Sequence, residues 1–208
     1  MSKTRGKFIS FEGIDGAGKS TQLDYAIKFL GERGVSILQT REPGGTPVGE
    51  SLRDLLLNSS HSPHVETELL LMFAARHEHI VRVIEPALTE GKTVVCDRFT
   101  DASFAYQGGG SQIDFSRIEQ LETWVQGSLQ PDLTLFFDLP IHVAQRRLGQ
   151  RQRDRFEAER LDFHERVRAA YIERARLNKS RIRVIDSTQS RGKIRTDVEQ
   201  ALVAICAL

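Results

Sequence analysis

The stretch FEGIDGAGKST, residues 11–21, decides how this sequence is interpreted. The residues before it, KFISFE at 7–12, alternate apolar with other side chains and predict a short strand. Residues 21–33 after it carry apolar side chains at helical spacing along one face. The glycines therefore lie at a strand-to-helix turn, where free N–H groups and the helix dipole favour an anion.

The same stretch fits the P-loop pattern G-x-x-x-x-G-K-[ST] and predicts a nucleotide phosphate site. Glycines let the backbone approach phosphate oxygens, the lysine reaches the terminal phosphates, and the hydroxyl of Ser20 can bind Mg²⁺. The alternative is a glycine-rich turn that binds nothing, but strand, loop and helix occur in the required order. The residues expected to contact the nucleotide are Gly13, Ile14, Asp15, Gly16, Ala17, Gly18, Lys19, Ser20 and Thr21.

Length and composition limit the remaining choices. The chain has 208 residues, a length typical of one α/β domain, so residues 1–208 are expected to form a single domain. The net charge of +1 and the lack of a long apolar run predict that neither nucleic acid nor a membrane is bound. The two cysteines, Cys96 and Cys206, have no disulfide-like or zinc-like spacing, which favours the cytoplasm.

Strand and helix patterns alternate along the chain. Short apolar runs predict strands at 35–40, 93–97, 133–138 and 182–186, and longer periodic segments predict helices at 66–90, 116–129, 141–149 and 156–179. Apolar runs separated by helices indicate an α/β/α sandwich around a mostly five-stranded parallel sheet. In such sheets ligands bind beyond the carboxyl ends of the strands, so the residues there are the candidates for a site.

Two strands are followed by arginines. Arg41 follows the second strand, where it could face a phosphate or form an exposed ion pair with little effect on stability. Asp97 ends the third strand and can hold Mg²⁺ or its waters, and Arg98 is suited to grip a phosphate. Tyr106 and Gln107 follow as a possible aromatic wall and amide contact; a helix cap with a flexible loop is the alternative for this segment.

Two further segments combine arginine with other signals. Phe73 and Arg76 are one helical turn apart and could stack on a base and bond its edge, although such spacing is also typical of a core. The arginine-rich segment at 145–160 could be a solvated helix face or a nucleic-acid patch. A mobile lid at about 147–157 that closes arginines onto phosphates explains it better.

Taken together, these motifs resemble bacterial thymidylate kinases, which transfer the γ-phosphoryl group of ATP to dTMP. The resemblance rests on EGIDGAGKST, TREPGGT, LLMFAAR, DRF followed by AYQGGG, PDLTLFFD and DRFE, in this order along almost the whole chain. It implies a cytoplasmic homodimer with a helix-covered parallel sheet, which uses ATP and Mg²⁺ to convert dTMP to dTDP.

The resemblance also implies roles for individual residues. Phe73 would stack on thymine, and Arg76, Ser103 and Gln107 would contact the edge of the base. Tyr106 would exclude a 2′-hydroxyl, and Asp15 would lie near the 3′-hydroxyl. Arg98, with Arg41, would hold the acceptor phosphate.

Gly16 stands where some family members carry a catalytic arginine in the loop. The resemblance then implies a catalytic arginine from the lid, and Arg151, Arg153 and Arg155 are the candidates beside Lys19 and Arg98. Phe99 replaces the tyrosine or histidine of other members. The competing functions are a kinase for another small acceptor, such as a deoxynucleoside or a different nucleoside monophosphate, and a P-loop switch that controls a partner.

Overall fold

A parallel sheet forms the centre of the computed structural model, which describes residues 4–58, 63–149 and 154–208. Within them the strands are β1 (Phe8–Glu12), β2 (Ile37–Arg41), β3 (Thr93–Asp97), β4 (Leu133–Asp138) and β5 (Ile182–Asp186). All neighbours pair in parallel in the order β2-β3-β1-β4-β5. The predicted α/β fold with a five-stranded parallel sheet is confirmed.

Helices connect and cover these strands. They are α1 (Lys19–Gly31), α2 (Pro47–Leu57), α3 (Val65–His79), α4 (Glu85–Thr89), α5 (Thr100–Ser103), α6 (Phe115–Gln126), α7 (Ile141–Leu148), α8 (Leu161–Leu177) and α9 (Arg191–Cys206). Two π-helical segments, Ile80–Ile84 and Phe104–Gly110, follow α3 and α5. Within the described ranges no helix is long and apolar enough to cross a membrane.

The strands are apolar on both faces because helices cover both. Ile9 and Phe11 of β1 belong to a core that includes residues of α1 and α9. The side chains of the residues between them in sequence point to the opposite face of the sheet. Phe8 packs against the helical run from α3 to α4, and Phe136 of β4 stacks on Tyr171 of α8 with ring centroids 5.0 Å apart. Helical layers on both faces of the sheet give a three-layer arrangement.

The predicted helix at 66–90 is one continuous helical run with a π-helical interruption. α3 passes through Ile80–Ile84 into α4, whose first turn contains Pro86. Proline has no N–H to donate and crowds the carbonyl four residues earlier. The wider π turn directly before the proline accommodates both effects.

The predicted helix at 156–179 begins later than expected, because a turn at its start has its own hydrogen bonds. The Glu157 N–H donates to Asp154 Oδ1 at 2.9 Å, and the Asp154 N–H donates to the Glu157 carboxylate at 3.2 Å. Arg160 is extended and α8 starts at Leu161. Helix α9 was not among the predicted elements.

The glycine run at 108–110, for which a flexible loop was the alternative, is helical and packs tightly on α8. A Cβ atom on Gly109 would lie 2.6 Å from Ala170 Cβ and 2.8 Å from the Arg166 carbonyl oxygen. The Arg166 guanidinium in turn donates to the Gly109 and Gly110 carbonyls. The glycines are therefore needed for close approach of two helical segments.

We expect Gly109→Ala to lower the free energy of unfolding by about 1–3 kcal/mol, because the added methyl group overpacks the contact with α8. The control is Gly192→Ala in α9, where a Cβ meets nothing within 4 Å. That change should be neutral or stabilising by up to about 1 kcal/mol. Urea unfolding of both variants measures the difference, and equal stabilities would contradict the packing argument.

Candidate active site

The candidate site lies at the carboxyl edge of the sheet, where β1 and β3 end side by side. Phe11 pairs with Asp97 in register, so the glycine-rich loop after β1 and Arg98 after β3 start from the same edge. A cavity of about 150 Å³ opens there. Its wall includes predicted residues from separate parts of the chain: Asp15, Arg41, Arg76, Asp97, Arg98, Ser103, Tyr106 and Gln107.

The loop between β1 and α1 folds as its glycines predict. Gly18 has φ 91° and forms the N-cap of α1, a conformation that L side chains rarely adopt. Lys19 is 6 % exposed, and its Nζ donates to the carbonyls of Gly13 at 2.8 Å and Ile14 at 3.3 Å. The side chains of Ile14 and Ala17 pack in the core, so these residues can offer only backbone groups. Lys19 is thus held against the glycine-rich loop, beside which it is expected to contact the terminal phosphates.

Asp15 links the two principal cations of the site. Its carboxylate accepts from Lys19 Nζ at 3.3 Å and from Arg98 Nη2 at 2.9 and 3.1 Å. Although its burial acts in the opposite direction, the charges of Arg98 and Lys19 hold the pKa of Asp15 well below its usual range. Burial and the neighbouring Arg98 charge lower the pKa of Lys19. The arrangement concentrates positive charge beside the glycine-rich loop.

Arg98 has an unusual backbone conformation for a residue with a side chain. Its φ is 69°, in the left-handed region. Its guanidinium carbon lies 4.8 Å from the ring centroid of Tyr106, which forms part of the cavity wall. Non-glycine residues in this region are strained and occur preferentially at functional sites.

The buried Arg76 guanidinium donates three hydrogen bonds and has one nitrogen, Nη1, without a partner among the described residues. It is 3 % exposed; Nε donates to Glu42 at 2.7 Å, and Nη2 donates to Ser103 Oγ at 3.0 Å and to the Phe99 carbonyl at 3.2 Å. Nη1 is buried and finds no hydrogen-bond partner within the described part of the chain. A buried donor without a partner is costly, so this nitrogen is available to a ligand in the cavity.

Glu42 is shared between Arg76 and a histidine that the sequence analysis did not select. His79 Nδ1 lies 2.9 Å from Glu42 Oε1, and its Nε2 lies 2.6 Å from Thr40 Oγ1. Although its burial acts in the opposite direction, the Arg76 charge and the His79 contact lower the pKa of Glu42. The ionised carboxylate fixes the direction of the Arg76 side chain.

The predicted stacking role of Phe73 does not fit the structure. Phe73 is 1 % exposed and packs with Leu69, Phe104 and Ile118 in a separate core cluster. In the described part of the chain Met72 lines the cavity instead. Met72 lies four residues before Arg76. Phe73 lies three residues before it, and its ring stays in the core, with the centroid 4.6 Å from the Arg76 guanidinium carbon. The predicted wall residue and the observed one are thus neighbours on the same helix.

The lid arginines are only partly described. Arg151 and Arg153 lie outside the described residues. Arg155 contacts the Glu68 carboxylate, and its Nε donates to the Leu56 carbonyl at 3.1 Å. The same Glu68 accepts from Gln107 Nε2 at 2.8 Å. The lid hypothesis required Arg155 to lie over the glycine-rich loop. In the structure its contacts are with α2 and α3 instead.

Two arginines of the β2–α2 region approach the cavity. Arg41 is half-exposed and donates to Glu50 at 2.8 Å, which is the ion pair considered as its alternative role, yet it also lines the cavity. Arg53 of α2 lines the cavity too and was missed. The sequence could have pointed to Arg53, because Leu56 and Leu57 follow it by three and four residues and so share its helix face.

A magnesium ion fits the oxygen ligands at this edge. The described residues contain no group of three or more His, Cys, Asp or Glu side chains that could hold a metal. Mg²⁺ bound with substrate phosphates needs only one or two protein ligands, however. Asp97 Oδ1 is buried without a hydrogen-bond partner among the described residues, and Ser20 lies exposed in the first turn of α1. The predicted pair Ser20 and Asp97 is compatible with such an ion.

Beneath the loop lies a buried carboxyl group, Glu12, which the sequence analysis did not select. The Phe99 N–H donates to its Oε1 at 2.6 Å, and its Oε2 lies 2.8 Å from the Tyr171 hydroxyl. Burial, together with the nearby charge of Asp101, raises the pKa of Glu12 to about 8. Its signal was a glutamate at the end of an otherwise apolar strand.

Comparison with known proteins agrees with this geometry. The family model described as Thymidylate kinase matches residues 11–198. A thymidylate kinase of Nitrosospira multiformis is 55% identical over 204 residues, covering 98% of this chain and 100% of that protein. One of Cupriavidus pinatubonensis is 58% identical over 201 residues, covering 95% and 98%. The crystal structure of thymidylate kinase from Ehrlichia chaffeensis superimposes with a TM-score of 0.77 at 36% identity, covering 95% of this chain and 99% of that one.

We expect Glu12→Gln to become more stable relative to the unmodified protein as pH rises from about 5 to 8. The folded-state pKa is about 8, while an unfolded glutamate loses its proton near 4.5. Between these values the folded protein holds the extra proton, so its stability falls with pH by about 1.4 kcal/mol per unit from this group. Glutamine has no such dependence. Urea unfolding at several pH values measures the difference, and parallel stability curves would contradict it.

Proposed function

The chain belongs to the thymidylate kinase family and phosphorylates dTMP to dTDP with ATP, and we propose that the cavity beside Arg98 holds dTMP while the loop at 13–20 holds the ATP phosphates. The observation that carries this assignment is Arg76 Nη1, which is buried without a hydrogen-bond partner among the described residues, on a side chain that lines the same cavity as Arg98. One end of the cavity thus suits a hydrogen-bonding base and the other a phosphate.

At the donor end we assign the glycine-rich loop as a P-loop. Its backbone and Lys19 would bind the terminal phosphates of ATP, and Thr21 extends the contact into α1. Ser20 and Asp97 would hold Mg²⁺, whose chemistry is to neutralise charge on the phosphate oxygens. Lys19 is already fixed on the Gly13 carbonyl, so little reorganisation is needed when charge develops on the migrating group.

At the acceptor end Arg98 would grip the dTMP phosphate, with Arg41 and Arg53 supplying further positive charge from the β2–α2 side. Arg76 Nη1 would donate to a carbonyl of thymine, and Ser103 and Gln107 would contact the same edge. Met72 takes the place at the cavity wall that the sequence suggested for Phe73.

The sugar would lie between the two ends of the cavity. Tyr106 lines this part and would leave no room for a 2′-hydroxyl, which selects deoxyribose by exclusion. Asp15 also lines the cavity and would approach the 3′-hydroxyl.

The chemical step then needs little covalent help from the protein. The dTMP phosphate is already an anionic nucleophile, so no general base is required. Positioning of two phosphates in line and stabilisation of spread charge supply the acceleration. Because Gly16 offers no side chain and Arg155 is engaged by Glu68, Arg151 and Arg153 are the lid residues proposed to meet the migrating phosphoryl group.

The remaining assignments concern the whole molecule. We propose that residues 1–208 form one domain with a lid at 147–157, and that the enzyme is a cytoplasmic homodimer. Large apolar side chains are exposed on α3 and α6, among them Leu70 at 56% and Trp124 at 81%, which favours a partner surface. Cys96 and Cys206 are free thiols, as expected in a reducing compartment.

A panel of acceptors tests the proposed acceptor site. With ATP and Mg²⁺, kcat/KM read from ADP release should be highest for dTMP, lower for dUMP, and lowest for UMP and thymidine. Thymidine lacks the phosphate for Arg98, and UMP carries the 2′-hydroxyl. Arg76→Lys should lower kcat/KM for dTMP about 10- to 100-fold, because the single nitrogen of lysine can pair with Glu42 but cannot at the same time reach the position of Nη1.

The matched control for Arg76→Lys is Arg82→Lys on the same helical run, where the arginine is exposed and paired with Glu78. It should change kcat/KM less than twofold. Equal rates for dTMP and thymidine would instead favour a deoxynucleoside kinase. ATP turnover that is independent of any acceptor would favour a nucleotide switch.

Lys19→Ala should lower kcat by at least about 100-fold, since removing one group that stabilises transition-state charge costs about 3 kcal/mol or more. The dissociation constant of dTMP should change less than threefold, because the lysine serves the donor. Lys28→Ala, on the exposed side of the same helix, is the control and should leave kcat unchanged. Steady-state kinetics and calorimetric titration provide both numbers; near-normal turnover of Lys19→Ala would refute the donor site.

A further inference from the structure

The strained backbone of Arg98 requires something to hold it. A φ of 69° is disfavoured for arginine, and such a conformation persists only when surrounding contacts determine it. One contact that fixes the Arg98 backbone comes from β1: the Phe11 carbonyl accepts from the Arg98 N–H at 3.0 Å. The Cys96 thiol donates to the Arg98 carbonyl at 2.9 Å. These contacts fix the peptide groups, whereas the guanidinium is oriented by other partners, one of which is the Asp15 carboxylate at 2.9 and 3.1 Å.

Glu12 supplies contacts on both sides of Arg98. Its Oε1 accepts from the N–H of Phe99, the residue directly after Arg98, at 2.6 Å. Its Oε2 lies 2.8 Å from the Tyr171 hydroxyl, and Arg98 Nη1 donates to that hydroxyl at 3.4 Å. One carboxyl group therefore reaches the backbone turn directly and the guanidinium through one tyrosine.

We propose that Glu12 and Tyr171 are positioning residues for the dTMP phosphate, acting through Arg98. The inference rests on the proposed function, in which Arg98 grips that phosphate. Glu12 holds the turn that points Arg98 into the cavity, and the Tyr171 hydroxyl holds guanidinium Nη1 while Asp15 holds Nη2. Neither residue lines the cavity within the described part of the chain, so their effect passes through the arginine.

The support is rigid enough for this role. Glu12 is fully buried on the central strand, and Tyr171 is 1 % exposed with its ring stacked on Phe136 at an interplanar angle of 18°. Side chains locked by packing hold their neighbours in place more accurately than solvated ones. Both anchors belong to the sheet and α8, not to the lid.

The contacts persist in either protonation state of Glu12. Oε1 accepts from Phe99 in both, and a proton on Oε2 would be donated to the Tyr171 oxygen. Burial raises the pKa of Glu12 to about 8, so the neutral form predominates at pH 7. Glutamine can reproduce it, with its oxygen on Phe99 and its amide nitrogen on the tyrosine. Glu12→Gln is thus a conservative replacement.

Tyr171→Phe, which removes a single oxygen, tests the inference. We expect the dissociation constant of dTMP to rise about tenfold, while KM for ATP changes less than twofold. In an Arg98→Ala background the same Tyr171→Phe change should have no further effect on dTMP binding, because the residue through which it acts is gone. Calorimetric titration of the four proteins completes the cycle, and a loss of stability alone would not produce this pattern.

Two further variants complete the design. Glu12→Ala should weaken dTMP binding at least as much as Tyr171→Phe, and Glu12→Gln should restore it to within threefold of the unmodified enzyme. Tyr25→Phe removes a hydroxyl that contacts Glu199 away from the cavity and should leave dTMP binding unchanged.

The outcomes separate the two levels of the argument. If Arg98→Ala does not weaken dTMP binding, the acceptor assignment of the proposed function fails, and the inference with it. If Arg98→Ala weakens binding but Tyr171→Phe does not, or if the two effects simply add, only the positioning inference is overturned.

Discussion

The parallel pairing of β1 with β3 is the constraint on which the site depends. With Phe11 opposite Asp97, the glycine-rich loop and Arg98 leave the sheet side by side, close enough for Asp15 to bridge Arg98 and Lys19. A shift of one residue in this register would reverse the side of the sheet to which each side chain points. It would also move Glu12 away from the Phe99 N–H. The glycine-rich loop and Arg98 are thus aligned by strand pairing before any ligand binds.

Charged groups at this edge are held in pairs because burial of a single charge is too costly. Arg98 has Asp15, Arg76 has Glu42, and the partly exposed Arg155 has Glu68. Each pair also fixes a direction, and Arg76 and Arg98 are thereby oriented toward the cavity in advance. Among the described residues, Arg76 Nη1 and Asp97 Oδ1 are buried at the site without a hydrogen-bond partner, so both are available to ligands. Preorganisation of this kind reduces the cost of ordering side chains on binding.

Local sequence determined what could be predicted. The loop at 13–20 and the strands ending at Asp97 and Asp138 follow from short patterns, and the structure contains them. The choice between Met72 and Phe73 depends on helical phase to within one residue, which an apolar run such as LLLMF does not define. The partners of Arg155 could not be predicted at all, because Leu56 and Glu68 lie 99 and 87 residues away in sequence. Long-range contacts, unlike turns, leave no local pattern.

The Glu68 carboxylate contacts two side chains from distant parts of the sequence, Gln107 and Arg155. It accepts from Gln107 in the acceptor cavity and from Arg155 beside the lid. Any ligand contact that changes the Gln107 interaction therefore changes the free energy with which Arg155 is held, and the converse change has the same magnitude. Occupancy of the cavity and the hold on Arg155 are in this sense linked equilibria. A ligand beside Gln107 would thus alter the hold on Arg155 without any large movement of the sheet.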